Sequence, residues 1–332
     1  MTTSKILRVL LIFWPLYEIS GADLPSGYVI YWGYVAESAP QPSTGVVTIG
    51  GQVLSNAVAV SAGYKHGVAL RDDGTVVGWG LDSRGQATGV KTVNPDVTNG
   101  LVVIDGNVLT NFTAVATGSH FSLGLRQDGS VAGWGDDQFG QSAVPPGLSD
   151  IVAIAAGGRN ICLALKSDGT VLGWGHVKVP QCLSNIVAIA GGGTWGGFGG
   201  PGGNGLALKG DGTVMQWDTR SGETTETPTN LSNVVAVAAG GTFSLALKKD
   251  RTLTGWGNIS VPSELGNVVA IAAGGTHGLA LKSDGTIQGI GNIDFKPVAI
   301  PTGLSNVVAI ATGDGFSLAI TTNRAVANRF LH

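Results

Sequence analysis

The chain is poor in charge, in cysteine and in uninterrupted apolar sequence. Asp, Glu, Lys and Arg supply 12% of its 332 residues, roughly half the usual share, while the apolar share of 43% is ordinary, which excludes a disordered or supercharged chain. With 19 Lys and Arg against 22 Asp and Glu, the formal net charge is −3. There is no basic excess to neutralise nucleic-acid phosphates, so nucleic acid is not an expected partner. Two cysteines, Cys162 and Cys182, are too few for a disulfide-stapled fold or a four-ligand zinc site. They could pair with each other, or stand as a small buried thiol and a separate loop thiol. Neither G-x-S-x-G, H-E-x-x-H, a phosphate-binding loop nor a dinucleotide fingerprint is present, and no metal or cofactor is expected.

At the amino terminus, Lys5 and Arg8 precede an apolar run from Val9 to Trp14, and Ser20 and Ala22 supply small residues ahead of Asp23. This pattern is that of a secretory signal peptide over residues 1–22, and it predicts a secreted or periplasmic protein. The run falls short of the roughly 20 apolar residues that span a bilayer, and Gly and Asp interrupt every later one, so no membrane span is expected.

What the chain has in abundance is glycine, 54 residues of it, recurring in two alternating phrases. The first is a strand-like run ending in Gly, as at 57–63 (AVAVSAG), 152–157 (VAIAAG) and 308–313 (VAIATG). The second is DGTVVGWG at 73–80 and its relatives, with a lone copy, GYVIYWG, at 27–33. Each phrase occurs seven times. Between them runs a large-small alternation typified by Leu163-Ala164-Leu165-Lys166, and Asp-Gly then predicts a two-residue hairpin turn. A fourth, outer strand is expected around the Val-Pro segments. Trp32, Trp79, Trp134, Trp174, Trp217 and Trp256, followed by Ile290, recur at spacings that straddle the roughly 40 to 45 residues of a propeller blade.

The expectation is therefore an all-β, seven-bladed β-propeller of four-stranded antiparallel blades, one domain over residues 23–332. Residues 323–330 (NRAVANRF) read as a degraded Trp-bearing strand. The amino-terminal strand is expected to pair with the carboxy-terminal hairpin, because an open ring would expose strand edges. The insertions at 45–57 and 100–112 match each other and belong in loops or an added hairpin.

The phrase VVAIAAGGTHGLALKSDGT at 268–286, with the Gly-Trp-Gly phrases, resembles the regulator-of-chromosome-condensation repeat in its short bacterial form. The resemblance runs from Gly27 to about Thr322. It implies a propeller and much less about activity, since members include exchange factors for a small GTPase, a secreted inhibitor of beta-lactamases and many bacterial proteins without an assigned role. The inhibitor's contact residues do not map individually onto this chain, so none is carried over.

In such a meander, loops after the first and third strands leave at one end and the Asp-Gly turns at the other. Residue types vary mainly in the first set, which predicts a recognition face carrying Tyr34, Tyr64, Lys65, Arg84, His120, Asp136, Asp137, Phe139, Arg159, His176, Trp195, Phe198 and Arg220. Trp195 and Phe198 sit in the glycine-rich stretch 191–205, either as an aromatic anchor or as part of a flexible insertion. The repeated Trp residues read as packing between blades rather than sugar platforms. His66 and His277 share a position with Phe121, Ile161, Asn204, Phe243 and Phe316; a position that accepts Phe and Ile reads as buried, and these histidines as structural. The expected function is non-catalytic binding of a protein or glycan by a monomer, with enzyme inhibition as a specific form. The alternative is a glycan lyase or hydrolase using His120, Asp136, Asp137 and Arg159 as an acid-base cluster.

Overall fold

The computed structural model describes residues 25–34, 43–91, 98–193, 203–229, 231–293 and 296–331. The expected signal peptide and the pair Trp195 and Phe198 lie outside them. Among the described residues, seven sheets of three or four antiparallel strands follow one another, with two small hairpins between. Their inner strands are Ala57–Ala62, Phe112–Thr117, Ile151–Gly157, Ile186–Gly192, Val234–Ala239, Val268–Ala273 and Val307–Thr312, which begin blades 1 to 7. All seven line one central channel. Each inner strand packs on the next, and the last packs on the first. This is a β-propeller.

Burial explains why the second strands are continuous apolar runs. His66–Arg71, Phe121–Arg126, Ile161–Lys166 and Phe243–Lys248 each bury five consecutive residues, because a neighbouring blade covers both faces. The Trp-bearing third strands supply the packing between blades. Trp134 shares a core with Val68 and Leu70 of blade 1, Trp174 with Phe121 and Leu123 of blade 2, and Trp217 with Ile161 and Leu163 of blade 3.

Blade 7 joins the two ends of the chain. Its sheet runs Val307–Thr312, Phe316–Thr321, Tyr28–Gly33, Ser43–Val46, with Tyr28 opposite Thr321 and Gly33 opposite Phe316. Ile30 and Trp32 of the inserted strand are buried with Leu279 and Leu281 of blade 6. The matched insertions form hairpins, Thr48–Ile49 with Gln52–Val53 and Val103–Ile104 with Asn107–Val108.

Three details differ from the sequence reading. The segment after Thr321 is not a strand but a short helix, Arg324–Asn328, because Asn323 caps it by accepting from Ala325 N at 2.9 Å and Val326 N at 3.3 Å. Among the described residues, fourth strands exist only in blades 1, 4, 6 and 7, as Thr98–Leu101, Thr224–Thr225, Lys296–Pro297 and Ser43–Val46. In blades 3 and 5 the Val-Pro segments lie against the third strand without a ladder, Val179 covering Gly173 and Val261 covering Gly255. Proline has no N–H to give one. The Asp-Gly turns hold three residues, not two: Arg71 N donates to Thr75 O at 2.9 Å and Gly74 takes φ +77°. Only the glycine is left-handed, which is the type I turn with a bulge. Asp73 keeps an ordinary φ because its carboxylate accepts from Thr75 N (2.9 Å) and Thr75 Oγ1 (2.6 Å).

The seating of blade on blade is steric. A β-carbon on Gly63, Gly157, Gly192, Gly240, Gly274 or Gly313, at the inner-strand ends, would come within 3.0 Å of a backbone oxygen of the next blade. The last of these contacts joins Gly313 of blade 7 to Gly63 of blade 1. A second joint lies beside this one. His66, Asn204 and His277 open the second strands of blades 1, 4 and 6 and hydrogen-bond Ser122 (3.1 Å), Ser244 (3.0 Å) and Ser317 (2.8 Å) of the following blade. Where the opening residue is Phe121, Ile161, Phe243 or Phe316, the following blade offers Cys162, Gly205, Gly278 or Gly67 at that place.

Replacing Trp32, 3% exposed, by Ala removes the apolar bulk that fastens the first strand into blade 7. Urea denaturation should show a loss of about 3–5 kcal/mol. A variant as stable as the wild type would contradict closure through this strand.

Candidate functional site

Backbone hydrogen bonds gather the variable loops at one end of the ring. Within blades, Leu81 N donates to Lys65 O (2.9 Å), Asp136 N to His120 O (2.8 Å) and Asn258 N to Thr242 O (3.0 Å), tying the loop after the third strand to the loop after the first. Between blades, Tyr64 N donates to Ser119 O, Ser119 N to Gly158 O, and Asp314 N to Gly63 O.

Blades 1 and 2 shape their outer loops with the same five residues, Asp-x-x-Gly-Gln, at 82–86 and 137–141. The Asp caps the loop. Asp82 accepts from Ala87 N (2.7 Å), Thr88 N (3.2 Å) and Thr88 Oγ1 (2.5 Å), and burial raises its pKa. Asp137 accepts from Ser142 N (3.0 Å) and Ala143 N (2.8 Å). The Gln aims the residue at the third position outward, Gln86 Oε1 accepting from Arg84 N and Gln141 Oε1 from Phe139 N. Gln141 Nε2 also donates to Asp136 Oδ2 (3.1 Å) and Arg159 O (3.4 Å). Gln86 Nε2 is buried without an acceptor, since Leu81 stands where blade 2 has Asp136.

The result is one strip across blades 1 to 3. The ring of Tyr64 lies 5.5 Å from that of His120, and Lys65 Nζ lies 5.2 Å from the Tyr64 ring. Arg84 Nη1 meets Asp136 Oδ1 at 2.6 Å across the blade boundary. Arg159 stands 5.8 Å from the Phe139 ring, which is 5.3 Å from that of His176. Burial lowers the pKa of His120 to about 4, aided by Arg84 and Arg159 and opposed by Asp136. His120 is therefore neutral at pH 7.

The strip thus unites Tyr64, Lys65, Arg84, His120, Asp136, Phe139, Arg159 and His176. Tyr34 is held on blade 7, its N–H on Gly315 O (2.9 Å), and Arg220 is exposed on blade 4, its N–H on Asp218 Oδ1 (2.9 Å). Asp137 belongs to its own loop. Sequence reading passed over Gln86 and Gln141, whose only signal is the doubled Asp-x-x-Gly-Gln spacing. Cys162 is a buried thiol, donating to Gln141 O at 3.3 Å, and Cys182 is exposed; neither is in a disulfide. Among the described residues, no group of three or more His, Cys, Asp or Glu could hold a metal, and no helix is long and apolar enough to cross a membrane.

A model of the regulator of chromosome condensation (RCC1) repeat matches residues 57–86 and 112–141, the stretches that end in Gln86 and Gln141. These two stretches of the chain are thus RCC1-type repeats. Protein pim1 of Schizosaccharomyces pombe is 32% identical over 97 residues, which are 28% of this chain and 17% of pim1, so the matched segment spans about a sixth of that relative. Human WBSCR16 is similar in structure, with a TM-score of 0.68 at 17% identity over 89% of this chain and 100% of that one. Prp20p of Saccharomyces cerevisiae, described with its binding properties to Gsp1p and histones, gives 0.66 at 17% identity over 96% and 95%. Yeast RCC1 (Prp20) bound to Kap60 also gives 0.66, at 16% identity over 99% and 96%. These likenesses carry the fold.

Two further histidines of this propeller are structural, as the shared repeat position implied. Ser122 Oγ donates to Gln86 O (2.8 Å), so His66 Nε2 is the donor in its contact with Ser122 Oγ, and the ring is neutral. Burial lowers the pKa from 6.5 to about 3 for His66, with a smaller effect of His120, and to about 4 for His277. An unfolded chain takes up these protons below pH 6.5, whereas the folded chain refuses them. Stability should therefore fall between pH 6.5 and 4, by about 1.4 kcal/mol per pH unit for each histidine. Asparagine keeps the serine contact in blade 4, so a variant carrying His66→Asn and His277→Asn should lose most of this slope in urea titrations across that range. An unchanged slope would contradict the assignment.

Proposed function

We propose that this RCC1-repeat propeller is an exported, non-catalytic binding protein that engages a protein partner through the strip on blades 1 to 3. The observation that carries this reading is the strip itself. Residues from loops up to 112 positions apart in sequence, Tyr64 to His176, form one run of rings and cations on a rigid ring of strands. Paired aromatic and Arg side chains on a rigid base are the composition of interface hot spots. The amino-terminal pattern of residues 5–22 supports export. Propellers of this repeat type are described with protein partners, as Prp20p is with Gsp1p, histones and Kap60. Inhibition of an enzyme is the more specific form of the same reading.

The groups considered for acid-base chemistry are engaged otherwise. Arg84 and Gln141 hold Asp136, backbone N–H groups hold Asp137, and His120 is neutral well below pH 7.

A photo-crosslinking amino acid at Ser83, on this face, should give a discrete protein adduct in the native secretome, and one at Asp128, in an Asp-Gly turn, should not. Tyr64→Ala with Phe139→Ala should reduce the Ser83 adduct by about tenfold or more. Equal labelling at the two positions, or an adduct indifferent to the double variant, would contradict the reading.

A further inference from the structure

A strand edge left bare is a template for another chain, and natural sheets shorten such edges, place Pro or Lys on them, or cover them. Among the described residues, six blades do so. The outer strand of blade 7 meets the carboxy-terminal segment, Val46 N donating to Phe330 O at 3.3 Å and Val46 packing in one core with Val326 and Ala327. In blade 6 it is the pair Lys296–Pro297, and in blade 4 the pair Thr224–Thr225. Blades 2, 3 and 5 end at the third strand and are followed by segments that contain Pro145, Pro180 and Pro262.

Blade 1 differs. Its outer strand, Thr98–Leu101, is four residues long, holds neither Pro nor charge, and stands at the edge of its sheet. Val102 N donates to Val76 O at 2.9 Å, and Leu101, Gly100 and Asn99 stand opposite Val77, Gly78 and Trp79. Antiparallel ladders alternate, so Gly100 turns its N–H and C=O inward while Asn99 and Leu101 turn theirs outward. The hairpin over residues 48–53 covers a face of this strand without joining its ladder: Gly50 N reaches the Asn99 side chain at 3.1 Å, Ile49 packs with Val77 and Trp79, and the two belong to separate sheets.

The surroundings are apolar. Among the described residues five large apolar side chains are exposed, and Val90, Leu101 and Val108 are three of them. Val108 pairs with Val103, whose N–H donates to Thr88 O at 2.8 Å. Asp82 holds Thr88 in turn, so the loop that aims Arg84 into the strip ends against this rim. Edge and strip are continuous.

We propose that the outer edge of blade 1 takes an extended segment of the strip's protein partner as a fifth strand, uncharged and with apolar side chains at alternate positions. The outward N–H and C=O groups of Asn99 and Leu101 supply the pairing, and the Leu101 side chain supplies an apolar contact. Continuity with the strip assigns the edge to that partner rather than to a second copy of this chain. This rests on the protein-binding reading above and adds the conformation in which the partner binds.

The test is fluorescence anisotropy with the full chain and a labelled peptide of about ten residues alternating Val and Thr, beside the same peptide N-methylated at every central residue. The first should bind and the second should not, because N-methylation removes the ladder donors and keeps the side chains. Leu101→Pro removes an outward N–H and spares the pairing with Val76–Gly80, and it should weaken binding about tenfold. Thr224→Pro, on the outer strand of blade 4, should leave binding unchanged. Thermal melts check that both variants keep the ring, and Leu101→Lys, a charge on the same edge, should weaken binding as well. No binding of the first peptide, equal binding of the two peptides, or equal loss in Leu101→Pro and Thr224→Pro would overturn the proposal. So would a concentration-dependent dimer that Leu101→Pro dissolves, which would give the edge to a second copy of this chain. If Ser83 still crosslinks a protein while the peptide fails, the strand-pairing proposal falls and the protein-binding reading stands. If both fail, the reading falls too.

Discussion

Seven blades can stand in a ring only because glycine ends their inner strands. At that radius the backbone of one blade lies against the carbonyl of the next, leaving no room for a side chain. Dispersion and apolar burial then act through the full depth of each interface, where Trp134, Trp174 and Trp217 reach into the core of the preceding blade. The contact between Gly313 and Gly63 is the same contact repeated once more, made between the two ends of the repeat array. Closure is thus one of six such glycine contacts, reinforced by the strand Tyr28–Gly33.

The joint next to the glycines shows how a repeat keeps geometry while changing chemistry. A polar residue in one blade meets a serine in the next, and a ring or Ile meets glycine or Cys162. The serine satisfies Nε2 of His66 and His277 and Nδ2 of Asn204, while Nδ1 of the two histidines is buried without a partner. Because the joints tolerate either, the loops beyond them are free to vary, and blades 1 to 3 use that freedom to build the strip. Asp82 and Asp137 fold the loops, Gln86 and Gln141 aim Arg84 and Phe139, and Asp136 links blade 2 to blade 1 through Arg84.

Much of this was legible in the sequence. The alternation of AVAVSAG-like and DGTVVGWG-like phrases carries strand period, turn and blade length together, and the burial of His66 and His277 followed from their sharing a position with phenylalanines. The strip was legible only as loop membership: that Tyr64 lies beside His120, or Arg84 beside Asp136, depends on how far one blade is rotated from the next, which no local pattern encodes. The same limit hid the serine partners, although they stand in the sequence one residue after each joint position. The outer strands were over-read because Val-Pro has strand-like composition while proline removes the ladder donor. Within residues 323–330 the chain forms the helix Arg324–Asn328 instead of a strand because Asn323 offers a cap.

The dependence of the ring on its glycine contacts is open to one direct measurement. Gly313→Ala sets a methyl group against the carbonyl of Gly63, whereas Gly100→Ala, on an outer strand, meets nothing within 4 Å. In urea denaturation the first should cost about 3 kcal/mol and the second less than about 0.5 kcal/mol. Equal stability of the two variants would contradict a ring seated on glycine.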